Sequence, residues 1–355
     1  MFRKAESIRN GNKSYWVTAP TTAKDAAPDT WLAYEETQQQ WVIVKGVGVF
    51  SRSDDPELTL RKRELVELAT RIEGQRPNVQ AILDVFEHRD DGEQQIKLGV
   101  MMPVLQGESL AALLEQGRQC SLGETLAWLE ALLEALSFLY EENYIYAALH
   151  PDQIIVQQGG KRLLLVDMTI PLTGREYRKR YMQQQPPATA YLAPEQFEQR
   201  IYKQSDFFAL GVVFYQMLTG VLPPSIEQRK GLKWSLVALR GDVKLPPGVQ
   251  SLINHLLDLD HLKRPLDVSQ IALQIDAIRA KVEQGRQRRR SRYVGRGWRR
   301  SSCRPRPDRW RHGARHRRRR GPRRGARRRR RSAAHRSARR RPASRRAGHC
   351  RGRRA

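Results

Sequence analysis

The side chains that could do chemistry concentrate in residues 143–169, which read NYIYAALHPDQIIVQQGGKRLLLVDMT. Two apolar, β-rich runs, Ile154–Val156 and Leu163–Val166, flank a Gly-Gly turn, and this pattern predicts a hairpin. A polar loop precedes the first run, and the second ends in the carboxylate of Asp167. Because a hairpin brings the chain back to where it started, we expect the loop residues and Asp167 to lie together.

This layout resembles the catalytic loop and metal-binding segment of protein kinases, H-R-D-L-x-x-x-N followed by D-F-G. Tyr146-Ala147-Ala148 stands in place of His-Arg-Asp, and Gln153 in place of the Asn. The resemblance implies that Asp167 binds Mg²⁺ and that Gln153 lies beside the nucleotide. It also places Ala148 at the catalytic Asp, where a methyl group can neither accept a hydroxyl proton nor orient an acceptor.

A second register treats His150-Pro151-Asp152 as a degenerate His-Arg-Asp. It would move the Asn position to Gln157 and place Ile154–Val156 inside the loop. That apolar run is more typical of a buried strand, and we therefore favour the first register.

Lys45 follows the apolar run Val42–Val44. The run resembles the V-A-I-K strand of a kinase small lobe, which implies that Lys45 holds ATP phosphates and pairs with a helix Glu. Residues 57–72 are predicted to form that helix, with Glu64 as the favoured partner and Glu67 as the alternative. Exposure to solvent alone would also explain a lysine at the end of a strand.

The later segment MMPVLQGESL resembles the hinge between kinase lobes. The resemblance implies that Met102 is the gatekeeper, and that the carbonyl of Pro103 and the N–H of Leu105 meet the edge of adenine. The Gly-rich loop is missing, because residues 24–29 read KDAAPD. Cβ atoms block the approach of backbone N–H groups to phosphates, and Pro28 has no N–H to donate. We expect ATP and Mg²⁺ to bind weakly or not at all.

The motifs expected to hold the fold are retained. Ala193-Pro194-Glu195 matches the kinase A-P-E motif, and the apolar run around Asp206 resembles the central helix of the large lobe. The resemblance implies that Asp206 caps the backbone of the catalytic loop and that Arg264 is the buried partner of Glu195. Breaking such a pair costs several kcal/mol, so its retention argues for a retained fold.

The positions that would handle protons are altered. Ala148, His150 and Ala188 stand where the family has an Asp, a Lys and a hydroxyl-bearing residue that share one hydrogen-bonded cluster. A wrong alignment would not concentrate these losses in one place.

These motifs predict an α+β chain with the two-lobed protein-kinase fold. We expect an N-terminal extension at 1–13, a small β-rich N-lobe with one helix at 14–102, a larger helical C-lobe at 103–284 and a disordered Arg-rich tail at 285–355.

The net charge of +28 is concentrated in this tail, which holds 33 Arg and a single acidic residue. The remainder has 32 basic and 36 acidic residues, a net charge of −4. Such a charged segment with few apolar residues cannot fold alone, and phosphate groups of nucleic acid would be its default ligand. A shifted reading frame in G/C-rich DNA explains the composition equally well, because the dominant residue types have G/C-rich codons.

The other features predict a cytoplasmic protein. The three cysteines have no metal-ligand spacing and indicate no disulfide framework, the N-terminus lacks an apolar signal segment, and no apolar run is long enough to span a bilayer.

Three functions are compatible with these features. The first is a pseudokinase that acts as a scaffold or allosteric regulator of a protein partner or an active kinase. The second is an unorthodox active Ser/Thr kinase with Asp152 or Asp167 as the proton acceptor. The third is nucleic-acid binding through the tail.

Overall fold

The computed structural model describes residues 4, 6–20, 30–75, 78–89, 94–167, 188–229 and 245–300. The chain divides into two compact units, Met1–Gly297 and Trp298–Ala355. Every element below lies in the first unit, except that the last helix continues into the second.

The first lobe is a six-stranded antiparallel sheet with one long helix, in the strand order β1-β2-β3-β4-β6-β5. Its elements are β1 (Ser7–Asn10), β2 (Lys13–Pro20), β3 (Thr30–Glu35), β4 (Gln40–Phe50), α1 (Pro56–Gln75), β5 (Asp84–Arg89) and β6 (Ile96–Pro103). Strand alternation gives each side of the sheet its own core.

The face that carries Lys45 packs against α1. Lys45 pairs with Val100 and Ile43 with Met102, so these side chains share one face of β4 and β6. The buried side of α1 repeats every three or four residues through Leu58, Leu65, Leu68 and Ile72, which is the spacing of one helix face. Met102 belongs to the same core as this helix face.

The opposite face has a separate core, which β1 helps to build. Ile8 of β1 is completely buried there, beside Tyr15 and Met101. Side chains also join β1 to the far edge of the sheet: Asn10 Nδ2 donates to Asp84 Oδ2 at 2.9 Å.

The prediction that residues 1–13 lie outside the lobe therefore needs correction, because Ser7–Asn10 is a strand of the sheet. Ser7–Asn10 has one apolar residue, which is too few to show the alternation of apolar and polar residues that is typical of a strand. Its pairing with β2 is apparent only in the folded sheet.

The second lobe is mainly helical. Its elements are β7 (Glu108–Ser109), α2 (Leu110–Glu115), α3 (Leu122–Glu141), β8 (Ile154–Gln157), β9 (Arg162–Leu165), α4 (Pro194–Phe197), α5 (Lys203–Thr219), α6 (Ile226–Arg229), α7 (Pro247–Leu256) and α8 (Val268–Arg300). Helix α5 is buried on nearly all sides, as its all-round apolarity predicts. The predicted hairpin is present as β8 and β9.

Helix α8 crosses the expected boundary at residue 284 and continues to Arg300. Arg and Gln are good helix formers, so the helix continues where apolar residues become scarce. Residues 301–355 of the predicted tail lie outside the described residues. Within the part of the chain that is described, no helix is long and apolar enough to cross a membrane.

Candidate active site

Lys45 and Asp167 meet across the two lobes as an ion pair. Their side chains are 3% and 13% exposed, so the pair is shielded from water. β4 presents Lys45 on its inward face, and Asp167 lies just after β9, with a φ of +68°. Non-glycine residues adopt this left-handed conformation infrequently, and it turns the chain sharply at the carboxylate.

Glu64, the predicted partner of Lys45, has a different neighbour. It is half-buried on α1, and its charge is one of several that act on Tyr144. Burial, followed by the charges of Glu64, Glu67 and Glu142, raises the pKa of Tyr144 to about 12. The structure thus brings Asp167 to Lys45 and places Glu64 near the Tyr144 hydroxyl.

Among the described residues, the hinge has a carbonyl that accepts a side-chain hydrogen bond and an N–H that donates none. The carbonyl of Pro103 accepts a hydrogen bond from Gln80 Nε2 at 3.1 Å, and Gln80 is only 4% exposed. The half-buried Leu105 has no hydrogen bond from its N–H within the described part of the chain. Met102 is buried on the same face as Lys45.

The loop before β8 is tied to the end of β9 by Tyr146, which replaces the expected His. Its hydroxyl donates to the carbonyl of Val166 at 2.6 Å and lies 3.0 Å from Gln153 Oε1. The single hydroxyl proton can serve only one acceptor, and the shorter distance assigns it to Val166. The Gln153 side chain lies beside the same hydroxyl, and the Gln153 carbonyl accepts a hydrogen bond from the N–H of Val166 at 2.9 Å.

The carboxylate of Asp206 also holds this loop. Its carboxylate accepts hydrogen bonds from the N–H groups of Tyr146, at 3.0 Å, and Ala147, at 2.6 Å, and from the hydroxyl of Tyr140 at 3.0 Å. Complete burial raises the pKa of Asp206 to about 7, although these three hydrogen bonds act to lower it. The cap that the resemblance implies is therefore present in geometry.

Gln196 fixes the other side of the loop. Its Nε2 donates to the carbonyl of Ala147 at 2.9 Å, and its Oε1 accepts from the N–H of Ala193 at 2.8 Å. Ala147 has a φ of +60°, and Ala148 is half-buried against apolar neighbours. The backbone is thus held on both sides, while position 148 offers only a methyl group.

His150 and Asp152 form a local pair beside this position. His150 Nδ1 lies 3.0 Å from Asp152 Oδ2, and the His150 ring packs edge-on against Tyr191 at 4.3 Å between centroids. The alternative register would require residues 154–156 to belong to the loop. They lie in β8 and pair with β9, which favours the register with Ala148 at the acid position.

A buried ion pair joins the A-P-E motif to Arg264, which lies shortly before helix α8. Arg264 donates to both carboxylate oxygens of Glu195, at 2.6 and 3.0 Å, and Ser205 donates to Oε1 at 2.7 Å. Burial alone would raise the pKa of Glu195, but the hydrogen bonds and charge of Arg264 bring it below its ordinary value. Bidentate pairs of this kind are among the stronger hydrogen bonds in proteins.

Several predicted positions lie outside the described residues. These are residues 24–29, in place of the Gly-rich loop, and the side chain of Ala188. Within the described residues, no group of three or more His, Cys, Asp or Glu side chains is arranged to hold a metal ion. Sequence reasoning missed Gln80 and Gln196 and gave Tyr146 no role of its own, because each of the three acts by bonding to backbone atoms.

Comparison with known proteins gives consistent matches. A family model described as the protein kinase domain matches residues 29–273. The serine/threonine-protein kinase PknD of Chlamydia felis (strain Fe/C-56) is 25% identical over 289 residues, covering 73% of this chain and 28% of that protein. The inhibitor of nuclear factor kappa-B kinase subunit beta of Mus musculus is 30% identical over 175 residues, covering 46% of this chain and 22% of that protein. The chain thus spans well under half the length of these relatives.

Among solved structures, the PknI kinase domain of Mycobacterium tuberculosis superposes with a TM-score of 0.53 at 20% identity. The superposition covers 74% of this chain and 96% of that domain.

Proposed function

The chain belongs to the protein kinase family, and from this premise we propose that it is a catalytically impaired member that acts as a scaffold or allosteric regulator of a protein partner. A kinase needs an acceptor for the proton of the attacking hydroxyl, placed beside the transferred phosphoryl group. We assign Ala148 to that position in this chain.

The proposal rests on a contrast between the backbone of the loop, which is held in place, and the side chain at position 148, which is only a methyl group. Asp206 and Gln196 hold the backbone around Ala147, and the Glu195–Arg264 pair supports the segment beyond it. If the loop were disordered or misplaced, the missing acid at position 148 would say little about activity. Here the loop is held on both sides, and the loss is confined to a side chain.

The residues present fit a bound nucleotide only in part. Lys45 and Asp167 lie together, and they would contact the phosphates and Mg²⁺ respectively. Gln153 lies beside Tyr146 and Val166, and the Pro103 carbonyl already accepts a hydrogen bond from Gln80. When bound, Mg²⁺–ATP would supply the transferable phosphoryl group and the charge that stabilises its transfer. This partial fit supports weak nucleotide binding.

The alternative function is an active kinase that uses a different carboxylate. Asp152 favours it, because its side chain is 28% exposed and lies in the same loop as Ala148. Against it, the Asp152 carboxylate lies beside His150, and Asp167 is paired with Lys45. Removing a catalytic group that works as part of a unit typically costs several orders of magnitude in rate, so residual turnover through Asp152 would be small.

A radiolabelled phosphotransfer assay with Mg²⁺–ATP distinguishes these functions. We expect the parent chain to show no transfer above background, and Ala148→Asp to gain transfer because it places a carboxylate in the prepared loop. Asp167→Ala in the Ala148→Asp background should abolish the gain, and Gln158→Asp, on an exposed turn nearby, should not produce it. Turnover in the parent that disappears on Asp152→Asn or Asp167→Ala would refute the impaired-kinase proposal.

A further inference from the structure

Gln80 is a buried residue that hydrogen-bonds to the hinge and to strand β9 of the second lobe. It follows α1, and its backbone N–H donates to the carbonyl of Leu165 in β9 at 2.8 Å. Its side-chain Nε2 donates to the carbonyl of Pro103 at 3.1 Å, and the residue is 4% exposed. The backbone of Asn78 accepts from Leu165 N–H at 2.9 Å, which fixes the segment on its other side. The amide of Gln80 is therefore held against the hinge by the main chain.

The hinge carbonyls on this side of β6 are both occupied. Met101 O accepts from the N–H of Leu83 at 2.7 Å. Carbonyls two residues apart in a strand point to the same side, and the Pro103 carbonyl accordingly faces Gln80. Leu105, in contrast, has an N–H with no hydrogen bond within the described residues. The hinge thus offers a donor, while the acceptor expected beside it is engaged.

We propose that Gln80 sets the base preference of this cleft, turning it away from adenine and toward a purine with an oxygen at C6. Adenine presents an amino donor at C6, whereas guanine presents an oxygen acceptor there. The Leu105 N–H can satisfy that oxygen, whereas the adenine amino group would have to use the second lone pair of the Pro103 carbonyl, because Gln80 already donates to that carbonyl. A shared acceptor makes a weaker hydrogen bond, and the loss of one net hydrogen bond lowers affinity by about tenfold.

This inference rests on the proposed function only in requiring that a nucleotide enters the cleft. It does not depend on whether phosphate is transferred. The base edge and the Ala148 position are separate parts of the site, so each can be tested alone.

The test is equilibrium binding of ribose-labelled fluorescent ATP and GTP analogues, with Mg²⁺, to the full chain and to Gln80→Met. Methionine has a similar length and no donor, so it releases the Pro103 carbonyl. We expect the parent to bind the GTP analogue at least as tightly as the ATP analogue. Gln80→Met should then raise ATP affinity about tenfold and leave GTP affinity within about twofold.

The ratio of the two affinities in one sample is insensitive to a fraction of unfolded protein, because both constants scale together. Gln80→Leu serves as a second variant without a donor, and Gln116→Met, at an exposed glutamine, should leave the ratio unchanged. A parent that prefers ATP, a ratio that does not move in either Gln80 variant, or no binding of either nucleotide by any of these proteins would overturn the inference. Phosphate transfer by the parent would overturn the proposed function and leave the ratio untouched.

Discussion

The free energy of unfolding should contain a component that falls as the pH rises from about 4 to about 7, because Asp206 is completely buried. Burial raises its pKa from the ordinary value of 3.8 to about 7. Between these values the folded chain keeps a proton on Asp206 that the unfolded chain has released. The contribution is therefore fully present below pH 4 and lost as the pH passes through 7.

The size of the component follows from the shift. One pKa unit corresponds to 1.36 kcal/mol, so a shift of about three units gives a loss of about 4 kcal/mol. This is a large share of the 5–15 kcal/mol that stabilises a typical protein. Other carboxylates change stability in the opposite direction over the same range, and the Asp206 component must be separated from them.

Urea unfolding at a series of pH values, for the parent and Asp206→Asn, provides that separation. The amide cannot ionise, and its altered hydrogen bonding to the N–H groups of Tyr146 and Ala147 gives an offset that does not vary with pH. The difference, parent minus variant, should fall by about 1.4 kcal/mol per pH unit between pH 5 and pH 6 and more gradually through pH 7. It should be level above pH 8.

Tyr140→Phe tests the local cause. The Tyr140 hydroxyl donates to Asp206 and lowers its pKa, so its removal should extend the fall to higher pH. A difference between the parent and Asp206→Asn that is flat or rises with pH would refute the assignment of a protonated Asp206 to the folded state.

Three further predictions concern other parts of the chain. Arg264→Leu should lower the free energy of unfolding by about 3–5 kcal/mol, because it leaves Glu195 buried without its partner; Arg264→Leu with Glu195→Leu should recover part of this loss, and urea unfolding would detect an absence of recovery. Ile8→Ala should lower the free energy of unfolding by about 2–5 kcal/mol in the same assay, because Ile8 is completely buried in the core that β1 helps to build. An unchanged free energy of unfolding would indicate that residues 1–13 lie outside the fold. Deleting residues 301–355 should abolish salt-dependent RNA retention in a filter assay if the tail binds nucleic acid, and unchanged retention would reject that hypothesis.

The two-lobed protein-kinase fold could be predicted from the sequence and is confirmed by the family match and the solved structure. It was predictable because each motif sits on an element with its own periodicity. The hairpin that ends at Asp167 and the buried helix around Asp206 each carry a local pattern. The order of these patterns along the chain is what makes the fold recognisable.

The parts of the site that could not be predicted share a physical cause. Gln80, Tyr146 and Gln196 act on backbone carbonyls and N–H groups. Every residue has these groups, so the sequence contains no partner pattern to detect. Strand β1 escaped notice for a related reason, because its one buried side chain, Ile8, is satisfied only by distant residues.

The way the loop around Ala148 is held has an evolutionary consequence. Asp206 and Gln196 contact main-chain atoms of Ala147, so none of these hydrogen bonds uses the side chain at position 148. Some alanine codons differ from aspartate codons by a single base, so one base change would place a carboxylate in a loop whose backbone is already held.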